Sequence, residues 1–299
     1  MKTILVTGSN GLLGQKLIEL LVQQPDVKTI ATARGINRLP FTDGYEYHSM
    51  DITNATQIEE VIEKTRPDAV IHGAAMTNVD LCEAEKEACW AQNVKAVEYM
   101  VAACQKHGVF LCHLSTDFIF DGAAGPYDET AEANPLSFYG WSKLAAEHVV
   151  KHAANLRWAI ARTVLVYGIA YDMSRSNIIL WVKKSLEDGK NIKVVTDQWR
   201  TPTLAEDLAM GCYLIANQEM NGVFNISGKD LLTPYEMAIK TADYFGLDQS
   251  LIAQADSSTF SQPAKRPART GFILDKAQTV LGYQPRSFEE GIAVLAGQL

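Results

Sequence analysis

Short apolar runs alternate with longer stretches in which apolar residues recur every three or four positions. TILVT at Thr3–Thr7 reads as a buried strand, and GLLGQKLIELLVQQ after it as an amphipathic helix. The same reading predicts strands at Lys28–Ala33, Asp68–Gly73, Val109–Ser115 and Trp158–Thr163. Helices are expected at Thr56–Lys64, near Glu85–Lys106, and around Tyr139 and Lys143. Strands separated by crossover helices imply an α/β fold with a doubly wound parallel sheet, covered on both faces. After Gly168 the alternation loosens. Helices are predicted at Asn177–Leu186, Leu204–Ala216, Pro234–Phe245 and the last residues, with strands at Ile192–Val195 and Val223–Ile226. This second part reads as a smaller, mixed portion packed over the ligand-binding ends of the sheet. The chain shows no internal repeat and no low-complexity linker.

The turn between the first strand and first helix, TGSNGLLG at Thr7–Gly14, has the setting of a phosphate-binding loop. Gly8 would let the chain leave the strand, Gly11 would let backbone approach a pyrophosphate, and Gly14 would let helix and sheet pack closely. Free N–H groups at the helix N-terminus favour an anion there. Ser9, Asn10, Leu12 and Leu13 complete this candidate cofactor turn. At the end of the second strand, where a carboxylate would bind a ribose 2′-hydroxyl, stand Ala33 and Arg34. An arginine there suits a 2′-phosphate, which favours NADP(H) over NAD(H). Asp51 and Ile52, just past the third strand, are expected to frame the adenine.

Composition narrows the function without naming it. A formal charge of −8 over 299 residues argues against nucleic acid or an anionic membrane as partner. No run approaches the ~20 apolar residues of a membrane span, and MKTILVTG is interrupted too early by glycine to read as a signal peptide. The five cysteines, Cys82, Cys89, Cys104, Cys112 and Cys212, contain no CxxC and are expected to be reduced, packed residues of a cytoplasmic protein. His148 and His152 lack the glutamate a zinc helix would place beside them, and read as exposed helix residues. His72 and His113, in apolar strands, read as satisfied core or loop-edge histidines. Lys265, Arg266 and Arg269 are too few for a nucleic-acid patch; contact with a diphosphate or plain solvation is expected.

FYGWSKLAAE places Tyr139 and Lys143 four apart, a spacing that carries little by itself. Together with TGSNGLLG, HGAAMTNVD, STDFIFDG and PYDET, it resembles the extended short-chain dehydrogenase/reductases. RTVLVYG, DQWRTPTLAEDLA, GVFNISG and KRPARTGFILDKAQ extend the resemblance to the dTDP-4-dehydrorhamnose reductase branch, over nearly the whole chain. The resemblance implies a catalytic Thr116, Tyr139 and Lys143. Two residues four apart on a helix share a face, and a nearby ammonium would lower the phenol's pKa. Tyr139 would give a proton to a carbonyl oxygen held by Thr116, while Lys143 holds the nicotinamide ribose. The resemblance also implies cofactor contacts at Gly73, Ala74, Ala75, Thr77 and Ser115, substrate contacts at Asp117 and Asn177, and a bracing role for Asn93.

This sequence departs from the branch where Leu165 replaces a usual tryptophan, and where Arg200 replaces a small residue and is expected to turn a cation toward the substrate pocket. RPARTGF, with Arg269, also differs from the usual RPxxSxL. The implied function is reduction of the 4-keto group of a deoxy nucleotide sugar by NADPH. A sugar-nucleotide epimerase or dehydratase, and a non-catalytic dinucleotide-binding regulatory subunit, are the alternatives. The implied organisation is an NADP(H)-binding domain over 1–168, rejoined by about 203–227, and a mainly substrate-binding portion over 169–299. A homodimer follows from the resemblance, as does the option of magnesium, for which the sequence offers no ligand set.

Overall fold

A computed structural model describes residues 1–172 and 176–299. In chain order the first half comprises β1 (Lys2–Thr7), α1 (Leu12–Leu21), β2 (Val27–Ala33), β3 (Tyr45–Ser49), α2 (Ala55–Thr65), β4 (Ala69–His72), α3 (Val79–Ala84) and α4 (Lys86–Trp90). A π-helical turn (Ala91–Lys95) leads into α5 (Ala96–His107), then come β5 (Phe110–Thr116), α6 (Phe138–Lys151) and β6 (Trp158–Thr163). The second half adds β7 (Val166–Tyr167), α7 (Ile178–Glu187), β8 (Ile192–Val195), β9 (Thr203–Leu204), α8 (Ala205–Gln218) and β10 (Gly222–Asn225). It ends with α9 (Pro234–Phe245), β11 (Ile252–Ala255), α10 (Asp275–Leu281) and α11 (Phe288–Ala296).

Seven strands form one parallel sheet in the order β10-β6-β5-β4-β1-β2-β3. The order reverses between β1 and β4, and a crevice at the carboxyl ends of the strands follows from that switch. Side chains of β1 divide between two cores because successive residues face opposite ways. Ile4 and Val6 pack with Leu17, Ile18, Leu208 and Cys212 on the α1/α8 side, whereas Leu5 packs with Ile58, Val97 and Met100 on the α2/α5 side. Beyond the sheet, β7 pairs with β9, β8 pairs with β11, and α7, α9 and α11 enclose further cores around Ile179, Met237 and Ile292 and around Val182 and Ala238.

The doubly wound expectation is met, and the differences are local. The helix expected near Glu85–Lys106 runs unbroken from Lys86 to His107 as α4, the π turn and α5. Glu85, at φ −118° and ψ 59°, separates α3 from α4, and a π turn inserts one extra residue before α5. β3, YEYHS, is a half-exposed edge strand, so it lacks the apolar run that marks the other six. All five cysteines are buried thiols. Among the described residues no helix is long and apolar enough to cross a membrane.

One ion pair fixes α6 to the sheet. Glu147, fully buried, accepts from Arg162 Nε at 2.9 Å and Nη2 at 2.8 Å, and Lys151 joins it at 2.8 Å. Burial alone would raise the Glu147 pKa; hydrogen bonding and charge from Arg162, then Lys151, overcome it and bring it to about 2. Because the folded value lies below the ordinary 4.5, this group's contribution is complete above about pH 4.5 and disappears as pH falls through about 2. Glu147→Ala should leave Arg162 buried and unpaired and cost about 3–5 kcal/mol, read as a lower denaturant midpoint at neutral pH.

Candidate active site

A cleft of about 1040 Å³ opens at the carboxyl ends of the central strands. It gathers most of the residues singled out above: Gly8, Asn10, Gly11, Leu12, Leu13 and Gly14 from the first turn; Arg34, Asp51 and Ile52 after β2 and β3; and Gly73, Ala74, Ala75 and Thr77 after β4. Ser115, Thr116, Asp117, Tyr139, Lys143 and Asn177 line it as well. Two do not. Ser9 lies fully buried beneath the turn, its hydroxyl without a protein partner, and its N–H donates to the Thr32 carbonyl at 3.0 Å.

Arg200 is the second, and the cation expected to face the pocket faces inward instead. It is only 5% exposed. Its guanidinium donates to the carbonyls of Trp199 (2.7 Å), Pro267 (2.6 Å) and Ala268 (3.3 Å), and its Nε lies 3.9 Å from Asp117. Three carbonyls in need of a donor hold the charge in the interior. Asp117 accepts from Thr116 Oγ1 at 3.1 Å and Thr270 Oγ1 at 2.5 Å; burial raises its pKa, opposed by Arg200, Thr270 and Thr116.

The turn itself fits a dinucleotide. A Cβ on Gly14 would lie 2.1 Å from the Gly8 carbonyl oxygen, so only glycine lets α1 begin this close to the strand and present its N-terminus to the cleft. Gln15, buried and unmarked in the sequence, straps the loop after Gly168 over this turn. Its amide donates to the carbonyls of Asn10 and Tyr171 and accepts from the Tyr171 N–H at 2.7 Å. Arg38 is a second cation on the cleft that the sequence reading missed; four residues past Arg34, its N–H donates to Asn10 at 2.9 Å. Asp51 is held below the ordinary carboxylate range by the N–H and hydroxyl of Thr53, then by Arg34.

Helix α6 carries the candidate catalytic pair to the cleft. Ser137 caps it by accepting from the Gly140 N–H at 3.2 Å, and Glu83 accepts from the Phe138 N–H at 2.6 Å. A Cβ on Gly140 would meet the Phe118 carbonyl oxygen at 2.2 Å; its absence lets the helix lie against the segment after Thr116. Tyr139 therefore reaches Thr116, and Lys143, one turn on, donates to the Leu114 carbonyl at 2.6 Å. Asn93, in the π turn, braces the far side. It accepts from Met76 N–H at 2.8 Å and donates to Met76 O and Ser142 Oγ at 3.0 Å each.

Electrostatics correct one expectation. The phenol is not lowered by its lysine neighbour; burial among Met76, Cys82, Cys89 and Phe118 raises the Tyr139 pKa, with the Thr116 hydrogen bond the countervailing influence. Lys143 is itself desolvated to about 8, against the upward pull of Glu147 and Cys89. Burial penalises the phenolate and the ammonium alike, so both rest closer to neutral than in water. A protonated phenol is the form that can donate.

The histidines fall into two pairs. His148 and His152 are exposed and stack at 5.7 Å. His72 and His113 are in the core but incompletely satisfied, each with one ring nitrogen unpartnered among protein groups. Of the basic cluster, Arg266 pairs with Asp80 at 2.8 Å and Arg269 lies over the Trp199 ring. Among the described residues no three His, Cys, Asp or Glu side chains are grouped to hold a metal.

A parallel sheet with a glycine turn at its switch point, and a tyrosine–lysine pair facing a strand-end threonine across that cleft, has the architecture of the extended short-chain reductases. Residues 1–299 match the family described as the RmlD substrate binding domain, and the chain belongs to that family. It is 31% identical over 292 residues to a Haloferax volcanii protein named "Probable low-salt glycan biosynthesis reductase", covering 97% of this chain and 96% of that one. A dTDP-4-dehydrorhamnose reductase of Aggregatibacter actinomycetemcomitans is 30% identical, with 98% and 97% covered. The methionine adenosyltransferase 2 subunit beta of Xenopus tropicalis is also 30% identical, over 82% of this chain and 73% of that one. A Bacillus anthracis dTDP-4-dehydrorhamnose reductase solved in complex with NADP superposes with a TM-score of 0.84 at 27% identity, over 100% of both chains.

Gly14→Ala tests the turn. Alanine is the better helix former by about 1 kcal/mol, but overlap with backbone that has no room to move should outweigh this, a net loss of about 1–3 kcal/mol. Thermal unfolding should show a lower Tm, and NADPH titration a weaker affinity.

Proposed function

We propose that the chain is an NADP(H)-dependent reductase of the 4-keto group of a deoxy nucleotide sugar. The observation that carries this reading is the convergence of Thr116, Tyr139 and Lys143 on one cleft with the glycine turn. Arg34 and Arg38 on that cleft support NADP(H) over NAD(H), since both can pair with a 2′-phosphate while Asp51 is engaged by Thr53. The B. anthracis complex with NADP supports the same choice.

When bound, NADPH supplies a hydride to the substrate's carbonyl carbon. Thr116 turns its hydroxyl from Asp117 to the carbonyl oxygen and polarises it. Tyr139, protonated at rest, donates its phenolic proton to that oxygen, which closes the balance as an alcohol. The phenolate left behind sits one helical turn from the Lys143 ammonium, which lowers the cost of that charge in the buried site. Lys143 also directs an N–H donor at the ribose. Asp117 and Asn177, on the cleft, serve the substrate side, and Asn177 simultaneously caps α7 by accepting from Leu180 N–H at 3.1 Å.

The reading extends to organisation. Residues 1–168 with 203–227 form the cofactor unit, supported by β10 pairing with β6; the remainder of 169–299 serves the substrate. The protein works in the cytoplasm, supported by five buried thiols, and as a homodimer by its family resemblance. The second reading, a dinucleotide-binding regulatory subunit, is favoured by the methionine adenosyltransferase relative; the intact Thr116, Tyr139 and Lys143 weigh against it.

The two readings separate in one assay. Loss of NADPH absorbance is followed with a panel of nucleotide-linked 4-keto-6-deoxy sugars. Turnover is expected, and Tyr139→Phe should lower kcat by about 10²–10⁴-fold with NADPH affinity unchanged. NADPH binding without reduction of any panel member would overturn the reductase.

A further inference from the structure

We propose that His113 is a positioning residue: its Nε2 accepts a hydrogen bond from Lys143 and, together with the Leu114 carbonyl, leaves one ammonium proton directed at the cleft. The inference deepens the reductase reading and rests on it for the role of Lys143. An ammonium has three donors. β5 engages two of them, Leu114 O at 2.6 Å and His113 Nε2 at 3.4 Å, from adjacent residues of a single strand. An ammonium has no acceptor, so Nε2 must be the unprotonated nitrogen and Nδ1 carries the proton. Nδ1 is the atom of His113 that has no protein partner.

The setting keeps this acceptor an acceptor. His72 lies directly beside His113 across β4 and β5, with ring centroids 5.7 Å apart, and its Nδ1 meets Thr7 Oγ1 at 2.9 Å. Thr7 in turn accepts from the Ala74 N–H at 3.1 Å. Two buried imidazoles side by side under an ammonium resist protonation: burial and Lys143 bring His72 to about 3, and burial, Lys143 and His72 hold His113 well below its ordinary value. The other titratable groups on elements around Lys143 are Tyr139 and Glu147 on α6, Cys82 on α3, Cys89 on α4, Asp117 after β5 and Arg162 on β6, the last already paired with Glu147. Packing alone does not account for an imidazole here. The neighbouring strand positions Leu111, Cys112 and Leu114 are filled by residues that leave no ring nitrogen unpartnered, and burying one costs free energy that an apolar side chain would not incur.

The test uses the full chain with His113→Leu, which removes the acceptor, and His113→Gln, whose amide oxygen can replace it. NADPH affinity is measured by fluorescence titration across pH, beside kcat and KM where a sugar is turned over. In the unsubstituted protein affinity should weaken above about pH 8, as Lys143 loses its proton. In H113L that break should move down by about one pH unit, a tenfold change in the ionisation constant. Its kcat should fall about tenfold with KM for the sugar little changed, and H113Q should recover most of both. A break and a kcat that stay in place in H113L while only Tm falls would overturn the proposal. If H113L does not fold, the ring nitrogen-15 shifts of the unsubstituted protein decide: protonated Nδ1 and bare Nε2 support the arrangement, and the opposite tautomer refutes it. A shifted NADPH break in a protein that reduces no sugar would leave this inference standing and remove the reductase reading alone.

Discussion

The close approach of α6 to the end of β5 is the constraint on which the site depends. Gly140 has no Cβ to strike the Phe118 carbonyl, and Lys143 reaches the Leu114 carbonyl from the same helix. Thr116 lies between these two contacts, at the strand's end. Tyr139 is one residue before the glycine, so the backbone contact that admits the helix also sets the distance from phenol to threonine. Glu147, one turn beyond Lys143, fixes the helix's rotation through Arg162 on the next strand. Tyr139, Lys143, Glu147 and Lys151 form a single i, i+4 stripe whose first half lines the cleft and whose second half anchors it.

That arrangement buries a great deal of ionisable chemistry, and its cost explains much of the surroundings. An isolated ammonium at the Lys143 position would be expensive. It is met by a carbonyl, an imidazole and the nearby Glu147, and even so is pulled to about 8. A phenol in the same shell is raised rather than lowered. Tyr139 therefore rests as a neutral phenol that burial makes a weaker acid, and Lys143 as an ammonium that burial makes easier to deprotonate.

What was legible in the chain was what depends on local pattern. Apolar periodicity placed the strands and crossover helices, and the glycine spacing placed the phosphate turn, because each is a consequence of backbone geometry within a few residues. β3 was located only by its end, just before Asp51, because its half-exposed YEYHS carries no apolar run. The π turn was illegible for a different reason. Its extra residue is retained by Asn93 reaching Met76 and Ser142, and those partners are 17 and 49 positions away. Gln15 and Arg38 carry no motif; their contacts to Tyr171 and Asn10 exist only once the loops close. The phenol's pKa was misjudged because spacing reports a neighbour's charge and says nothing of the solvent both groups have lost.

The same distinction sorts the two departures from the family pattern. Arg200 looked like a change in the ligand pocket and is a change in the scaffold. Its guanidinium ties the carbonyls of Pro267 and Ala268, and that segment carries Thr270 to Asp117, which accepts from Thr116. Its link to the cleft runs through Asp117 to Thr116. Leu165 is different. It lines the cleft, is 43% exposed, and holds a φ of 36°, in the left-handed region that costs a residue with a Cβ about 1–2 kcal/mol. The Thr203 N–H donating to its carbonyl at 3.2 Å and the Thr203 hydroxyl donating to the Val164 carbonyl at 2.6 Å hold the bend. Of the two departures, Leu165 is the one that lies on the cleft.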